Sequence, residues 1–448
     1  MNSNSDGPQS GLVSRFTHAL GPAIIVACVV LGPGSILTSS KIGCQFGYDM
    51  IWLLVGAGIL MVGAVATAAR IGVTLEGSPC EELATRLGRP VAILAGVSVF
   101  LIAACFQFSN NLGVLASLEP LFETDTKKIQ WILLIGLNVG LIACLFGFKQ
   151  LYQPIERLMM LLVGLMLIGF AANLIMARPS IIAILGGLIP GVPEELSGSF
   201  FPKVKEVLPA TCAEAEYKII DPWLALQGLL ATTFSIAGAF YQAYLVKEKG
   251  WGTAQLKQGL TDSFAGISVL VGISLMIMVT SASVLSGNVD PSELKSAADV
   301  ARQLEPLFGS TAKVLFCIGI FAGAFSSFLV NSIIGGTLLA DGLGLDAKLD
   351  SKWTKIFTVG VLMIGMLIAL LTDGPARVPL IIFAQAMTVL GGPVLAFAIL
   401  YLATRRTADL ALRTPTWMLG LMGIGAAIVV ALAARTAWRL FLTVQLML

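Results

Sequence analysis

The groups able to do chemistry in this 448-residue sequence are polar atoms set inside long apolar runs. Gly32-Pro33-Gly34-Ser35 interrupts a run extending from about residue 20 to residue 47. Proline deletes a backbone donor and glycine lowers the cost of unwinding, so carbonyls and amides are freed at that point. Freed backbone at membrane depth is tolerated only around a protein-lined cavity, which makes the break a candidate solute site. A weaker interruption, Ser235-Ile236-Ala237-Gly238-Ala239, follows five apolar runs later, although Gly238 alone also fits a helix-packing role. Paired interruptions in corresponding segments point to an inverted repeat with its site near the midplane. Neutral polar residues recur along the runs: Thr38 and Ser39, then Asn110 and Asn111, then Ser326, Ser327 and Asn331, then Gln385. Each alone also fits a helix-to-helix hydrogen bond, but together they suit a polar, uncharged cavity or pathway. Lys41 is the one charge in SILTSSKIGCQFGY, and it reads either as a tethered cation facing a solute or as a side chain snorkelling to the outer headgroups.

Other chemistries are excluded by what the chain lacks. One histidine, His18, rules out imidazole clusters for metals or protons. The seven cysteines have no CxxC spacing and read as small packing residues. Net charge is +2, too little for a nucleic-acid surface. Neither a phosphate loop, a nucleophile elbow nor HExxH is present, so the chain reads as neither enzyme nor cofactor carrier.

The elements that must carry these residues are membrane helices. Hydrophobic residues make up 56% and charged residues 12%, and segments such as Leu158 to Ala172 are apolar on every face, unlike barrel strands. Eleven spans are expected, at about 20–47, 51–73, 91–118, 129–148, 153–176, 223–246, 261–285, 311–340, 355–373, 379–403 and 416–436. Residues 1–17 form a polar tail without the pattern of a cleaved secretory signal, and the bias of basic residues in the short loops puts it in the cytoplasm. Residues 177–222, proline-rich and acidic, form an external capping loop, and residues 286–310 read as a short amphipathic surface helix. Glu156-Arg157 reads as a structural pair at the cytoplasmic face. The lipid bilayer, in a plasma membrane (the inner membrane if the source is bacterial), is therefore the first partner.

Gly21-Pro22-Ala23, the GPGS break, Ile42-Gly43-Cys44-Gln45-Phe46-Gly47-Tyr48 and Trp52 resemble the first-helix signature of the Nramp divalent-metal transporters, GP…DPGN…AGxxFGY…W. Gly319 to Gly342 resembles that family's eighth helix, and Gln385 to Leu400 its tenth. The resemblance spans about residues 18–405 and implies an all-α membrane protein of leucine-transporter type: two inverted five-helix repeats, residues 18–176 and 223–403, with an eleventh helix in residues 404–448.

The same resemblance locates a departure. Positions where the family carries metal ligands are Gly32, Ser35, Ser235 and Ala237 here, and positions of its proton-handling groups are Gln107, Asn110 and Gln242. No carboxylate stands in the first, third or sixth span, and embedded acids are read as missing. A divalent cation in such a site would meet only hard, neutral oxygen, which disfavours tight Mn²⁺ or Fe²⁺ binding and excludes hydrated Mg²⁺ less. The expectation is a secondary-active carrier of a divalent cation, Mg²⁺ or Mn²⁺, binding among Gly32, Pro33, Gly34, Ser35, Ser235, Ala237, Gly238 and Gln385, with Lys41, Gln107, Asn110, Gln242 and Asn331 along the path. A small organic solute or anion is the alternative cargo, and metal-ligand identity and oligomeric state stay open.

Overall fold

The computed structural model describes residues 21–118, 127–147, 151–193, 196, 198–207, 216–294, 297–372, 374–405 and 409–447. The expected tail, residues 1–17, and His18 lie outside them.

The first span is two helices, α1 (Pro22–Val30) and α2 (Pro33–Phe46), bent by 62° at the break. Each begins with proline in its first turn, where the missing N–H costs nothing and φ is already helical. Leu31 ends α1 outside helical geometry, and Gly32 is extended. After α3 (Ile51–Thr74), the short α4 (Pro79–Leu87) starts with a capping box in which Ser78 and Glu81 satisfy each other's backbone amides. The first half then closes with α5 (Arg89–Leu118), α6 (Lys127–Gly147) and α7 (Tyr152–Ala177).

The connection between α7 and the sixth span contains α8 (Ile181–Gly186) and an antiparallel hairpin of β1 (Lys203–Val207) and β2 (Glu216–Ile220). The sixth span is broken as expected, into α9 (Leu224–Thr233) and α10 (Ile236–Glu248), with Ser235 capping α10 by accepting from Gly238 N at 3.4 Å. Then come α11 (Leu256–Val284) and α12 (Ala297–Gly342). Gly309 interrupts α12 at φ 78°, separating the expected surface helix from the eighth span. The chain ends with α13 (Lys352–Leu371), α14 (Gly374–Ala403) and α15 (Thr416–Met447).

Among the described residues nine helical segments, and the bent pair α1–α2 as a tenth, are long and apolar enough to cross a membrane. The remaining expected span corresponds to α14, whose described apolar stretch, Thr388–Ala403, is shorter. The broken spans pack crosswise: α1 lies against α10, and α2 against α9. Two glycines let neighbours close on the first break. A Cβ at Gly113 of α5 would stand 2.0 Å from Pro33 Cγ, and one at Gly323 of α12 would stand 2.6 Å from the Leu31 carbonyl.

Candidate functional site

The last carbonyls of a helix have no partner within it, and those of α1 point into the protein centre. Hydroxyls meet them. Ser327 Oγ donates to the Val29 carbonyl at 2.9 Å, Ser326 Oγ to that of Cys28 at 3.4 Å, and Ser35 Oγ turns back to the carbonyls of Val30 and, at 3.2 Å, Gly32. Asn331 Nδ2 donates to Ser327 Oγ at 2.9 Å and to its carbonyl at 3.0 Å, locking that rotamer. From α5, Gln107 Nε2 reaches the Phe328 carbonyl at 3.1 Å, and Asn110 Nδ2 donates to Gln107 Oε1 at 3.4 Å. A Cβ at Gly32 would fall 2.7 Å from Ser327 Oγ and 3.5 Å from Asn110 Oδ1. The structure thus brings Gly32, Ser35, Gln107, Asn110, Ser327 and Asn331 into one collar, and every side chain in it is neutral. Carbonyl and hydroxyl oxygens keep a second lone pair after one hydrogen bond, so the collar can offer oxygen to a cation or polar solute.

The second break is placed differently. Ser235 and Ala237 line a small, mainly apolar cavity with Phe234 and Ile236, facing Ile102, Thr388, Leu395 and Val429. Gly238 faces α1, where an added Cβ would meet Val26 at 3.4 Å. The side chain of Gln385 lies outside the described residues. Lys41 is half-buried in the second half of α2, and Asp299 in the segment of α12 before Gly309 acts on it electrostatically.

Buried charges that the sequence reading missed frame the site. Gln242 is fully buried and donates 3.3 Å to Asp262 Oδ2 on α11. Asp262 also accepts from Gly21 N at 2.6 Å and Ala23 N at 3.0 Å, so it caps α1 with an anion at the positive end of the helix dipole. Asp341 on α12 accepts from Ser78 Oγ at 2.5 Å, Tyr244 Oη at 2.6 Å and Cys80 N at 3.1 Å. The reading that embedded acids are missing is corrected to this extent: they are absent from the first, third and sixth spans but present on α11 and α12. Asp262 stands alone in the apolar run after Lys257, and that signal was visible. Glu156 pairs with Lys249 at 2.6 Å, not with its neighbour Arg157. Burial pushes the Cys80 thiol up, which keeps it neutral and suits a packing role. Among the described residues no group of three or more His, Cys, Asp or Glu could hold a metal ion.

Crosswise broken helices around a polar collar, inside a bundle of membrane spans, define a membrane transporter of leucine-transporter type. The family model for natural resistance-associated macrophage protein-like proteins matches residues 23–439, and the chain belongs to the Nramp family. Among curated relatives, the divalent metal cation transporter MntH of Aeromonas hydrophila is 25% identical over 325 residues, covering 71% of this chain and 72% of the relative. That of Pectobacterium carotovorum is 24% identical over 328 residues, covering 71% of each. Two solved structures of the Eremococcus coleocola manganese transporter have the same fold. One is a single-residue mutant, 17% identical, and the other, 15% identical, is in complex with an aromatic bis-isothiourea substituted compound. Each superposes with a TM-score of 0.74 over 96% of this chain and 88% of the other.

Proposed function

We propose that this chain carries a divalent metal cation by secondary-active alternating access, with the cation bound at the α1–α2 break and favouring a hard ion such as Mg²⁺ over Mn²⁺. The neutral collar is the observation that carries this reading. Ser35, Asn110 and Ser327, with the freed carbonyls of α1, supply oxygen at the place where the repeats cross, and the MntH names of the relatives support a divalent cargo. Neutral oxygens cannot repay full dehydration of a divalent ion, so the ion keeps part of its water, as Mg²⁺ does readily. Gly34 and Pro33 hold the break open, and Ser235, Ala237 and Gly238 form the matching break of the second repeat, which we place at residues 223–403 against 18–176. Gln385, by its place in the sequence, is assigned to the same site. Gln107, Asn331, Gln242 and Lys41 are assigned to the path on either side. The amino terminus is placed in the cytoplasm, and the membrane is the plasma membrane.

The test is uptake by purified protein in liposomes, with Mg²⁺, Mn²⁺, a neutral solute and an organic anion compared with and without a pH gradient. Saturable Mg²⁺ uptake, weaker for Mn²⁺, is expected. Uptake of a solute or anion without any response to cations would replace this reading with the alternative cargo.

A further inference from the structure

Arg435 is fully buried, and nothing in the transport site uses it. It stands on α15, the helix outside the two repeats, about 28 Å along the axis from Thr416, which puts it near the outer limit of a hydrocarbon core ~30 Å thick. A guanidinium at that depth persists only with its donors met. Nε donates to the Phe200 carbonyl at 2.7 Å, one terminal nitrogen to Gln227 Oε1 and the other to the Asp221 carboxylate. Arg439 approaches the second Asp221 oxygen at 3.5 Å, and Gln227 Nε2 donates to Thr436 Oγ1 at 2.5 Å. Asp221 stands three residues before α9 and Gln227 is in its first turn, so α15 grips the start of that half-helix. It touches the other end as well. A Cβ at Gly425 of α15 would stand 2.2 Å from Phe234 Cζ, so the ring at the break lies flush against α15.

The inner half-helix is anchored elsewhere. In α10, Gln242 holds Asp262 of α11, and Tyr244 holds Asp341 of α12. The two halves of the sixth span therefore have different polar anchors, α15 for one and α11 and α12 for the other, although both also pack on α3, and the break at Phe234–Ser235 is the joint between them.

We propose that α15 is a splint for α9, with Arg435 as the positioning residue that keeps the outer half of the sixth span fixed while the halves change their relation at the break. The proposal rests on the reading of the breaks as the transport site. An eleventh helix thereby becomes a working part of the carrier, acting on the site without contributing an atom to it.

Hydrogen exchange on the purified full chain reads the splint without any substrate. Arg435→Gln is expected to accelerate exchange in residues 224–233 by about tenfold, with 22–30 and 236–248 unchanged, because one anchored segment opens alone. Arg435→Lys, which keeps a donor for Asp221 but loses the fork to Gln227, falls between. Gln227→Glu sets a charged acceptor on the Arg435 guanidinium at the loss of the bond to Thr436 and slows exchange in the same segment, which keeps the test decisive if the arginine variants do not fold. In liposomes Arg435→Gln raises the KM for Mg²⁺ more than it lowers the maximal rate, and Arg435→Lys restores part of the difference. Unchanged exchange in 224–233, or acceleration spread evenly over all helices, overturns the splint. Absence of Mg²⁺ and Mn²⁺ uptake by wild type, with the exchange signature intact, overturns the transport reading and leaves the splint standing.

Discussion

Restoring a carboxylate at Gly32 is the sharpest test of why this site is neutral, because the structure says the change fails alone. An added Cβ falls 2.7 Å from Ser327 Oγ, closer than packed atoms tolerate, so the hydroxyl must move. Moving it breaks its bond to the Val29 carbonyl and the bond it receives from Asn331, both 2.9 Å. At ~1 kcal/mol each, with ~1–3 kcal/mol for overpacking, Gly32→Asp costs about 3–5 kcal/mol of stability. The pair Gly32→Asp with Ser327→Ala removes the Oγ clash and frees Asn331 at once, leaving only a tight approach to the residue-327 Cβ at 3.1 Å, so about half of that cost returns. A carboxylate beside a divalent ion then gains several kcal/mol of attraction before desolvation, and a net gain of ~1.4–3 kcal/mol is a tenfold to hundredfold tighter Kd. Calorimetric Mn²⁺ titration of wild type, both single variants and the pair, with a thermal melt of each, gives the answer. The pair should bind Mn²⁺ at least about tenfold more tightly than wild type, and the Gly32→Asp single variant should be the least stable of the four. Equal stability and equal Mn²⁺ affinity in the single variant and the pair would refute the claim that Ser327 occupies the carboxylate's place.

Asp262→Asn leaves the first turn of α1 with a weaker acceptor and no anion at the helix start, and should lower stability by ~2–4 kcal/mol in a denaturation series, with the loss concentrated in exchange of residues 22–30. Gly113→Ala drives a Cβ to 2.0 Å from Pro33 Cγ and should lower both the melting temperature and Mg²⁺ uptake, whereas Gly136→Ala, on a helix face with nothing within 4 Å, should change neither. Lys41→Ala removes a positive charge from the second half of α2 and should raise initial Mg²⁺ uptake at low concentration by about twofold or more, with the increase shrinking as salt is added. An unchanged rate at low salt would place Lys41 away from the cation's route.

Span positions and both breaks were legible because a helix in lipid must be apolar for ~20 residues and because Pro33 and its glycines have no other use there. Most of the collar was legible for the same reason: Gln107, Asn110, Ser327 and Asn331 are polar atoms in apolar runs, and they converge. Partnership was not legible. Gln242 lies on the sixth span like Ser235, yet it serves Asp262 and the start of α1, a choice made by residues twenty positions apart in sequence and adjacent only after α10 and α11 pack. Arg435 reads from sequence as one more basic residue at the end of an apolar helix. Its burial depends on the connection before α9 folding back to bring Phe200 and Asp221 over it.

A neutral collar is compatible with carrying a divalent ion when affinity is set against supply. A site is loaded in proportion to concentration over Kd, and a carrier must also let its cargo go, so tight binding is useful only for a scarce ion. Charged or soft ligands extract such an ion from dilute solution, at the cost of slow release. In the proposed reading, oxygens already committed to Ser35, Ser326 and Ser327 hold a partly hydrated ion weakly, and those bonds keep the backbone partnered when the ion leaves. The collar therefore needs no carboxylate of its own to stay partnered around an empty break, and the same hydroxyls that make the site weak remove the penalty of emptying it. An abundant hard ion is the cargo for which that exchange is favourable, and the difference between saturation curves for Mg²⁺ and Mn²⁺ measures it directly.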